Sequence, residues 1–239
     1  MATIEWLDLL WCLVPIVLVC TVYMRWLGKP SEIILAASRM AVQLIAVGYV
    51  LVSIFENPSP VISIGIVSTM LIVAAWISIR PVRKHSGVML PASIALGSAV
   101  GFHLFLSIIF VLQAESWFAP QLLIPLAGMY LANTMNAISL AAERFHSELG
   151  NLKTPEEARL IAFRAAMIPQ INSLLAVGLV SLPGMMTGQI LSGVSPLIAV
   201  RYQIMIMTMC LGTSGLGAAM MLWLMCRSKE KSAAANNKG

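Results

Sequence analysis

Four polar residues lie inside long apolar stretches of the sequence, where they could take part in moving an ion. Asn133 and Asn136 are three residues apart in "GMYLANTMNAISL", and Arg39 and Gln43 are four residues apart in "SRMAVQLIAVGYVL". Both spacings place the two members of a pair on one face of a helix. Polar and ionisable groups within a membrane are costly and often mark ion pathways, and carboxamide oxygens are hard, neutral cation ligands. Asn133 and Asn136 are therefore predicted to line a translocation pathway, and Arg39 and Gln43 are candidates for the same role.

Each pair also has a purely structural interpretation. Arg39 lies about two helical turns from the cytoplasmic end of its segment, so its guanidinium could extend to the lipid headgroups. Asn133 and Asn136 could instead form hydrogen bonds to a neighbouring helix. Both interpretations stay open at this point.

Enzymatic chemistry is not expected from this chain. His85, His103 and His146 are scattered, and the four cysteines form no CxxC pair. The sequence contains no GxxxxGK[ST] motif, so it cannot hold ATP phosphates in the manner of a P-loop. We expect no cofactor in this chain, and the residues that would contact a metal are not identified by the sequence. If ATP drives its activity, a partner chain must bind ATP-Mg.

The composition predicts an all-α, polytopic membrane protein. Of the 239 residues, 59% are hydrophobic and only 10% are charged, against about 25% charged in soluble domains. The apolar runs are also far longer than the 9–11 residues of a barrel strand. We predict about seven transmembrane helices within a domain of residues 1–226, followed by a flexible cytoplasmic tail, 227–239. The helices are expected at 9–27, 33–55, 59–79, 88–112, 118–142, 167–192 and 198–226.

The distribution of basic residues predicts an N-out, C-in topology. Lys and Arg collect in cytoplasmic loops, and an outside N-terminus places thirteen of the 15 basic residues inside. This asymmetry explains the net charge of +5 without a nucleic acid partner. The thirteen are Arg25, Lys29, Arg80, Arg83, Lys84, Arg144, Lys153, Arg159, Arg164, Arg227, Lys229, Lys231 and Lys238.

The apolar stretch 165–200 is too long for one straight helix. Its 36 residues contain no Asp, Glu, Lys, Arg or His and would span about 54 Å, against about 30 Å of hydrocarbon. We predict a break at Pro183-Gly184, a short helix near the outer surface, and a new helix from Pro196. The alternative is a simple proline kink. The residues assigned to this outer gate are Pro183, Gly184, Thr187, Gln189, Arg201 and Gln203.

The longest polar interval, 143–166, contains a strong helix start at "TPEE". Thr154 can cap the amide of Glu157, and Pro155 suits the first helical position. The following helix has an apolar stripe that includes Ala158, with Arg159 and Arg164 off it, and is expected to end at Pro169. It could lie among the lipid headgroups or dock a cytoplasmic partner. Both possibilities remain open from the residues alone.

Several motifs resemble one family of permeases. The stretches "SRMAVQLIAVGYVL", "LIPLAGMYLANTMNAISL" and "GLVSLPGMMTGQILSGVSPLIAVRYQIM" are similar to the Fet-type (FetB-like) ABC-transporter permeases. That family includes bacterial iron exporters and plant permease subunits tied to aluminium tolerance. The loop "ELGNLKTPEEARLIAFRAAMIP" also looks like the cytoplasmic loop of ABC permeases, which contacts the ATPase. The residues implied for this coupling are Gly150, Thr154, Pro155, Glu156, Glu157, Ala158, Arg159 and Arg164.

The resemblance implies a multi-pass subunit of a bacterial inner membrane that works as a homodimer with two copies of an ABC ATPase. Its implied cargo is iron, moved outward. Two other functions are compatible with the sequence. The chain could be a secondary transporter or channel acting without an ATPase, or an ABC permease for a sugar nucleotide.

Overall fold

The computed structural model describes residue 5, residues 7–85 and residues 87–236, with side chains described as far as Ser228. The described backbone is almost entirely helical, and its β structure is one isolated bridge between Val177 and Ser181. A 3-10 turn, Asp8–Cys12, precedes the first α-helix. The eight α-helices of these residues are α1 Leu13–Leu27, α2 Ser31–Glu56, α3 Pro60–Ser78, α4 Met89–Phe105, α5 Pro120–Gly150, α6 Pro155–Ala176, α7 Gly184–Leu191 and α8 Pro196–Asn236.

The chain divides into two compact units, residues 1–57 and residues 58–239. The first unit is a hairpin of α1 and α2, which contact each other. Gly28, with φ 95°, ends α1 and turns the chain toward α2, a conformation that glycine adopts readily. Of its described residues, only Cys20 and Ile54 are buried, so the side chains of this hairpin are almost all exposed.

The second unit is a helical bundle built around α5 and α8, with α3, α4 and α6 packed on them. Small residues allow the close approach of these helices. A methyl group added at Gly217 of α8 would overlap the Thr134 side chain of α5, and one at Gly212 would overlap the His103 ring of α4. The small-residue stretch of α8 is thus required by the packing of its neighbours.

Six helical segments of the described residues are long and apolar enough to cross a membrane, whereas about seven are predicted from the sequence. They are Asp8–Leu27, Ser31–Glu56, Pro60–Ser78, Met89–Val111, Pro120–Gly150 and Pro196–Ser228. The fourth combines α4 with a π-helical turn, Leu106–Val111. The protein is therefore polytopic and all-helical in its described part, as the composition predicts.

The difference in the count comes from the predicted segment 167–192, which is not one helix. α6 begins at Pro155, continues through Pro169 and ends at Ala176, after which residues 177–183 are non-helical. The expectation that the helix beginning at Thr154 would end at Pro169 was wrong. Within a packed bundle neighbouring helices make an internal proline tolerable, and α6 packs on both α5 and α8.

α6 runs antiparallel to α8. The Cys226 thiol lies 3.4 Å from the Pro155 carbonyl oxygen, and a Cβ at Gly215 would lie 3.6 Å from the Met167 side chain. Residues 155–195 therefore cross the bundle alongside α8, from the Cys226 level to the start of α8. This is a further crossing of the second unit, although α6 is not one of the six apolar segments.

Basic residues of the second unit meet at one end of the bundle, here called the basic end. The rings of His85 and His146 stack with centroids 3.8 Å apart, which fixes the loop after α3 beside the C-terminal part of α5. The contact of Cys226 with Pro155 places this level of α8 beside the α5–α6 turn. At the opposite end, the Ser63 hydroxyl donates to the Phe118 carbonyl oxygen at 2.8 Å.

α8 continues past the predicted boundary at 226 to Asn236, into the segment predicted to be a flexible tail. The run of three alanines at 233–235 has a high helix propensity, which favours extension of the existing helix. The backbone of 227–236 is therefore helical, and residues 237–239 lie outside the described part.

Candidate functional site

The predicted outer gate is built from a non-helical segment and a short helix. The amides of Val180 and Ser181 both donate to the Ala176 carbonyl oxygen, at 2.8 and 3.2 Å, which closes a tight turn after α6. Pro183 then precedes α7 and accepts a hydrogen bond from the Thr187 hydroxyl at 3.2 Å. The predicted short helix between Pro183-Gly184 and Pro196 is confirmed as α7. The break itself begins earlier than predicted, at Val177, because α6 ends at Ala176.

A cleft of about 240 Å³ opens between the end of α6, the broken segment, α7 and α8. Its walls are mostly hydrocarbon, without a charged side chain. The lining residues are Leu174, Val177, Gly178, Leu182, Pro183, Met186, Val200, Gln203, Ile204, Met207 and Thr208. This cleft is here called the outer cleft, since it lies at the part of the bundle away from the basic end.

Two predicted gate residues carry buried side-chain oxygens in this region. Gln203 is 5% exposed, and its Oε1 atom has no hydrogen-bond partner among the described residues. The Oε1 atom of Gln189 on α7 is likewise buried without one. Arg201, next to these positions on α8, is exposed. A buried carbonyl oxygen without a donor is unfavourable, so this region favours a ligand or water that donates a hydrogen bond.

The structure separates the two predicted pathway asparagines. Asn133 is half-buried; its Nδ2 atom donates to the Met129 carbonyl oxygen at 2.8 Å and lies 3.6 Å from the Cys210 sulfur of α8. Asn136 is exposed on α5. Asn133 therefore has the interhelical contact left open by the sequence analysis, and Asn136 is the member that presents its side chain outside the described bundle.

Arg39 and Gln43 are both exposed on α2, in the first unit. They lie one turn apart, as the spacing predicts, and neither side chain is buried against α1. Their contribution to a pathway stays a prediction.

Sequence reasoning missed the contributions of Cys210 and Thr134. Cys210 contacts Asn133 across the α5–α8 interface, and the Thr134 hydroxyl is fully buried without a hydrogen-bond partner in the described residues. A seven-residue spacing joins Gln203, Cys210 and Gly217 on α8. That spacing is the only signal in the sequence that places these three on one face.

The predicted helix start at the α5–α6 connection is confirmed. The Glu157 amide donates to Thr154 Oγ1 at 3.3 Å, and the Thr154 amide donates to Glu157 Oε2 at 3.1 Å. This capping box satisfies two amides that an uncapped helix would leave unpaired. Pro155 is the first helical residue, and Gly150 is the last residue of α5.

The apolar stripe of this helix is not free to dock a partner. Ala158, Ala162 and Ala166 are all fully buried in the bundle, where α6 packs on α5 and α8. The opposite face is exposed and includes Glu156, Leu160 and Arg164, whereas Arg159 is half-buried. Of the predicted coupling residues, Ala158 therefore belongs to the core, and Pro155 and Arg159 are half-buried. A partner could reach the exposed ones, Gly150, Thr154, Glu156, Glu157 and Arg164.

Two leucines near the α5–α6 turn are exposed at the basic end. Leu152 has a positive φ of 60° and is 96% exposed, and Leu160 one turn into α6 is 67% exposed. Leu152, Glu156, Leu160 and Arg164 are here called the turn face. Both leucines and the two charged residues are exposed and therefore accessible to a partner.

The described residues contain no group of three or more His, Cys, Asp or Glu side chains that could hold a metal ion. A resident metal centre of such residues is thus absent from this part of the chain. Most buried polar side chains of the bundle are hydroxyls and amides, which bind cations weakly and reversibly; the exceptions among the described residues are His103 and Glu148.

The fold and these buried polar positions define a multi-pass helical membrane protein. The chain belongs to a family described as "Uncharacterised protein family (UPF0014)", whose profile matches residues 6–162 and 153–229. No solved structure matches the chain significantly.

Three curated relatives cover most of the chain. It is 35% identical to the UPF0014 membrane protein slr1647 of Synechocystis, over 89% of both chains. It is 33% identical to the probable iron export permease protein FetB of Escherichia coli, over 84% of this chain and 82% of the relative. It is 30% identical to the protein ALUMINUM SENSITIVE 3 of Arabidopsis thaliana, over 80% of this chain and 75% of the relative. The resemblance to the Fet-type family inferred from the motifs is confirmed.

Proposed function

We propose that this chain is the membrane-spanning permease subunit of an ABC transporter that exports iron or a related metal ion. The relative named as a probable iron export permease supports the cargo. The chain has no P-loop motif, so a separate subunit binds ATP-Mg and hydrolyses it. The observation that carries the proposal is α6, one continuous helix from the exposed turn face to the outer cleft.

In this proposal the basic end faces the cytoplasm of a bacterial inner membrane, with an N-out, C-in topology. Arg83 lies over the Trp76 ring at 4.3 Å and Arg227 over the Trp223 ring at 4.2 Å. Such aromatic and basic pairs suit the headgroup level of a membrane. Iron enters from the basic end and leaves at the opposite end.

The ATPase subunit docks on the turn face, and α6 transmits its movement. The 22 residues of α6 form a rod of about 33 Å, whose alanine stripe lies against α5 and α8. Small side chains present a smooth surface, so α6 can shift along α8 without exchanging large interlocked residues. Displacement of its N-terminus reaches the broken segment directly, where Pro183, Gly184 and Thr187 form the gate.

Two permease copies form the pathway. Asn136 belongs to an exposed stripe of α5 that also contains Ala132 and Glu143. Polar groups at membrane depth are tolerated where they face protein or a wet cavity, which the second copy provides. Asn136 then offers a neutral oxygen to the passing cation.

The two asparagines provide a matched test of this pathway. We expect Asn136→Ala to lower ATP-dependent iron transport at least tenfold without changing the thermal stability of the complex, since its side chain is exposed. Asn133→Ala should instead lower the stability, by about 0.6 to 1.7 kcal/mol for a lost interhelical bond, with a smaller effect on transport. Iron accumulation in inside-out vesicles and the Tm of the purified complex measure the two effects.

The opposite pattern, with transport lost in Asn133→Ala and retained in Asn136→Ala, would contradict the pathway assignment. Transport that persists without ATP would favour a secondary transporter or channel. Stimulation of the ATPase by a sugar nucleotide but not by ferrous iron would assign the third candidate function.

A further inference from the structure

The outer cleft combines three features that together recognise one class of molecule. Its walls are hydrocarbon, one buried carbonyl oxygen without a donor lies among its lining residues, and an exposed arginine stands next to it on α8. We propose that the outer cleft binds a phospholipid whose head group carries a hydrogen-bond donor, such as phosphatidylethanolamine. This site includes Pro183 and Gln203 of the predicted outer gate, but lipid binding there does not depend on the proposed function.

The apolar walls exclude a hydrated metal ion as the occupant. Eight of the lining side chains are hydrocarbon or thioether, and none is charged. A hard cation needs about six oxygen ligands, and only Gln203 and Thr208 offer side-chain oxygens here. A hydrocarbon chain, in contrast, gains free energy from every apolar group that it covers.

Gln203 supplies the polar anchor. It is more than nine-tenths buried, and its Oε1 atom lacks a donor among the described residues. An ammonium or hydroxyl group of a lipid head would donate to this oxygen and satisfy it. A choline head group has no such hydrogen, so the site should distinguish the two lipids.

Arg201 supplies the charge. It is two residues from Gln203 and follows the lining residue Val200 directly. In the predicted topology it is one of only two basic residues outside the set of thirteen at the cytoplasmic side. A guanidinium at this level pairs naturally with a lipid phosphate.

The neighbouring segment places the site among lipids. Leu179 is 91% exposed and Val180 83% exposed, in the turn that joins α6 to α7. Two such apolar side chains beside the cleft are stable in a bilayer and unfavourable in water. A lipid held in the cleft would contact α6, α7 and α8 at once, and so stabilise the present arrangement of the broken segment.

The test measures lipid retained by the full chain, without ATP or iron. The protein is purified in mild detergent, exposed to phosphatidylethanolamine or phosphatidylcholine of matched acyl chains, washed, and analysed by native mass spectrometry. We expect about one tightly held phosphatidylethanolamine per chain and at least fivefold less phosphatidylcholine. Gln203→Leu should abolish the preference, and Arg201→Gln should weaken retention of both lipids.

A third variant tests the cleft itself. Val200→Phe fills the outer cleft without removing either polar group, and we expect it to release the bound lipid. Leu216→Phe adds the same ring at an exposed position of α8 outside the cleft and should leave retention unchanged. Equal retention of the two lipids by the unaltered chain, or unchanged retention in Val200→Phe, would overturn the proposal. The Tm of each variant identifies any that merely fail to fold.

Because no nucleotide or cargo enters this measurement, its result is independent of the transport assays. Lipid retention without ATP-driven transport would leave the site in place and remove the transporter function. Transport without lipid selectivity would support the transporter function and exclude the proposed lipid site.

Discussion

Leu152→Asp combined with Leu160→Asp is expected to lower the affinity for the ATPase subunit at least thirtyfold and to abolish ATP-driven transport. Both leucines are exposed on the turn face, and neither contributes to the buried alanine stripe. Loss of one well-packed hot-spot residue at the centre of an interface costs about 2 kcal/mol, which corresponds to about thirtyfold in affinity. Burying an unpaired carboxylate adds a further penalty. Titration of the purified permease with the ATPase measures the change.

The matched control is Ser228→Asp. Ser228 is exposed on α8, two residues beyond Cys226, at the basic end but outside the turn face. It adds a carboxylate in the same aqueous region, so it should leave ATPase binding within about twofold. Equal loss of binding in the control and in the leucine variant would assign the effect to charge alone and contradict docking at the turn face.

A short cross-link between α6 and α8 is expected to stop transport while the ATPase stays bound. Gly215 faces the Met167 side chain directly, so cysteines at these two positions can be joined by a short thiol-specific reagent. The four native cysteines are first replaced by alanine. Because transmission requires α6 to shift along α8, we expect at least a twentyfold loss of iron transport on cross-linking. Transport by vesicles before and after treatment with the reagent provides the measurement.

Each single-cysteine variant treated with the same reagent is the control and should transport normally. Cleavage of a reducible cross-linker should restore activity, which separates restraint from damage. Full transport by the cross-linked protein would show that α6 and α8 move as one body, and the account of transmission along α6 would be wrong.

Much of the architecture follows from local signals in the sequence. Six long apolar runs became membrane-length helices, and Thr154 with Glu157 formed the expected capping box. Pro196 begins α8 as predicted. These features depend on hydropathy and on side chains within one turn of each other, which a sequence displays directly.

The course of α6 could not be predicted in the same way. Pro169 is a local signal for a helix end, but packing of Ala158, Ala162 and Ala166 in the bundle outweighs it. The same burial decides which side of the helix a partner can reach. Such outcomes depend on which helices become neighbours, and hydropathy carries no information about that pairing.

The candidate site was predicted in its residue types more than in its arrangement. The sequence singled out Gln203 and Gln189 because they interrupt an apolar run, and both have buried side-chain oxygens. It placed Asn133 and Asn136 on one helical face, whereas only Asn133 reaches α8. A separation of three residues on a helix is about 60° of rotation, enough to bury one side chain and expose the other.

The most direct test of the central claim is iron transport by the purified permease reconstituted with the ATPase that copurifies with it. Isolation from native membranes in mild detergent should yield a P-loop ATPase in a one-to-one ratio with this chain. In vesicles with the basic end outward, the complex should accumulate ferrous iron only when ATP is added outside. Isolation of this chain without an ATPase, together with iron movement that needs no ATP, would contradict the account and assign the chain to secondary transporters or channels.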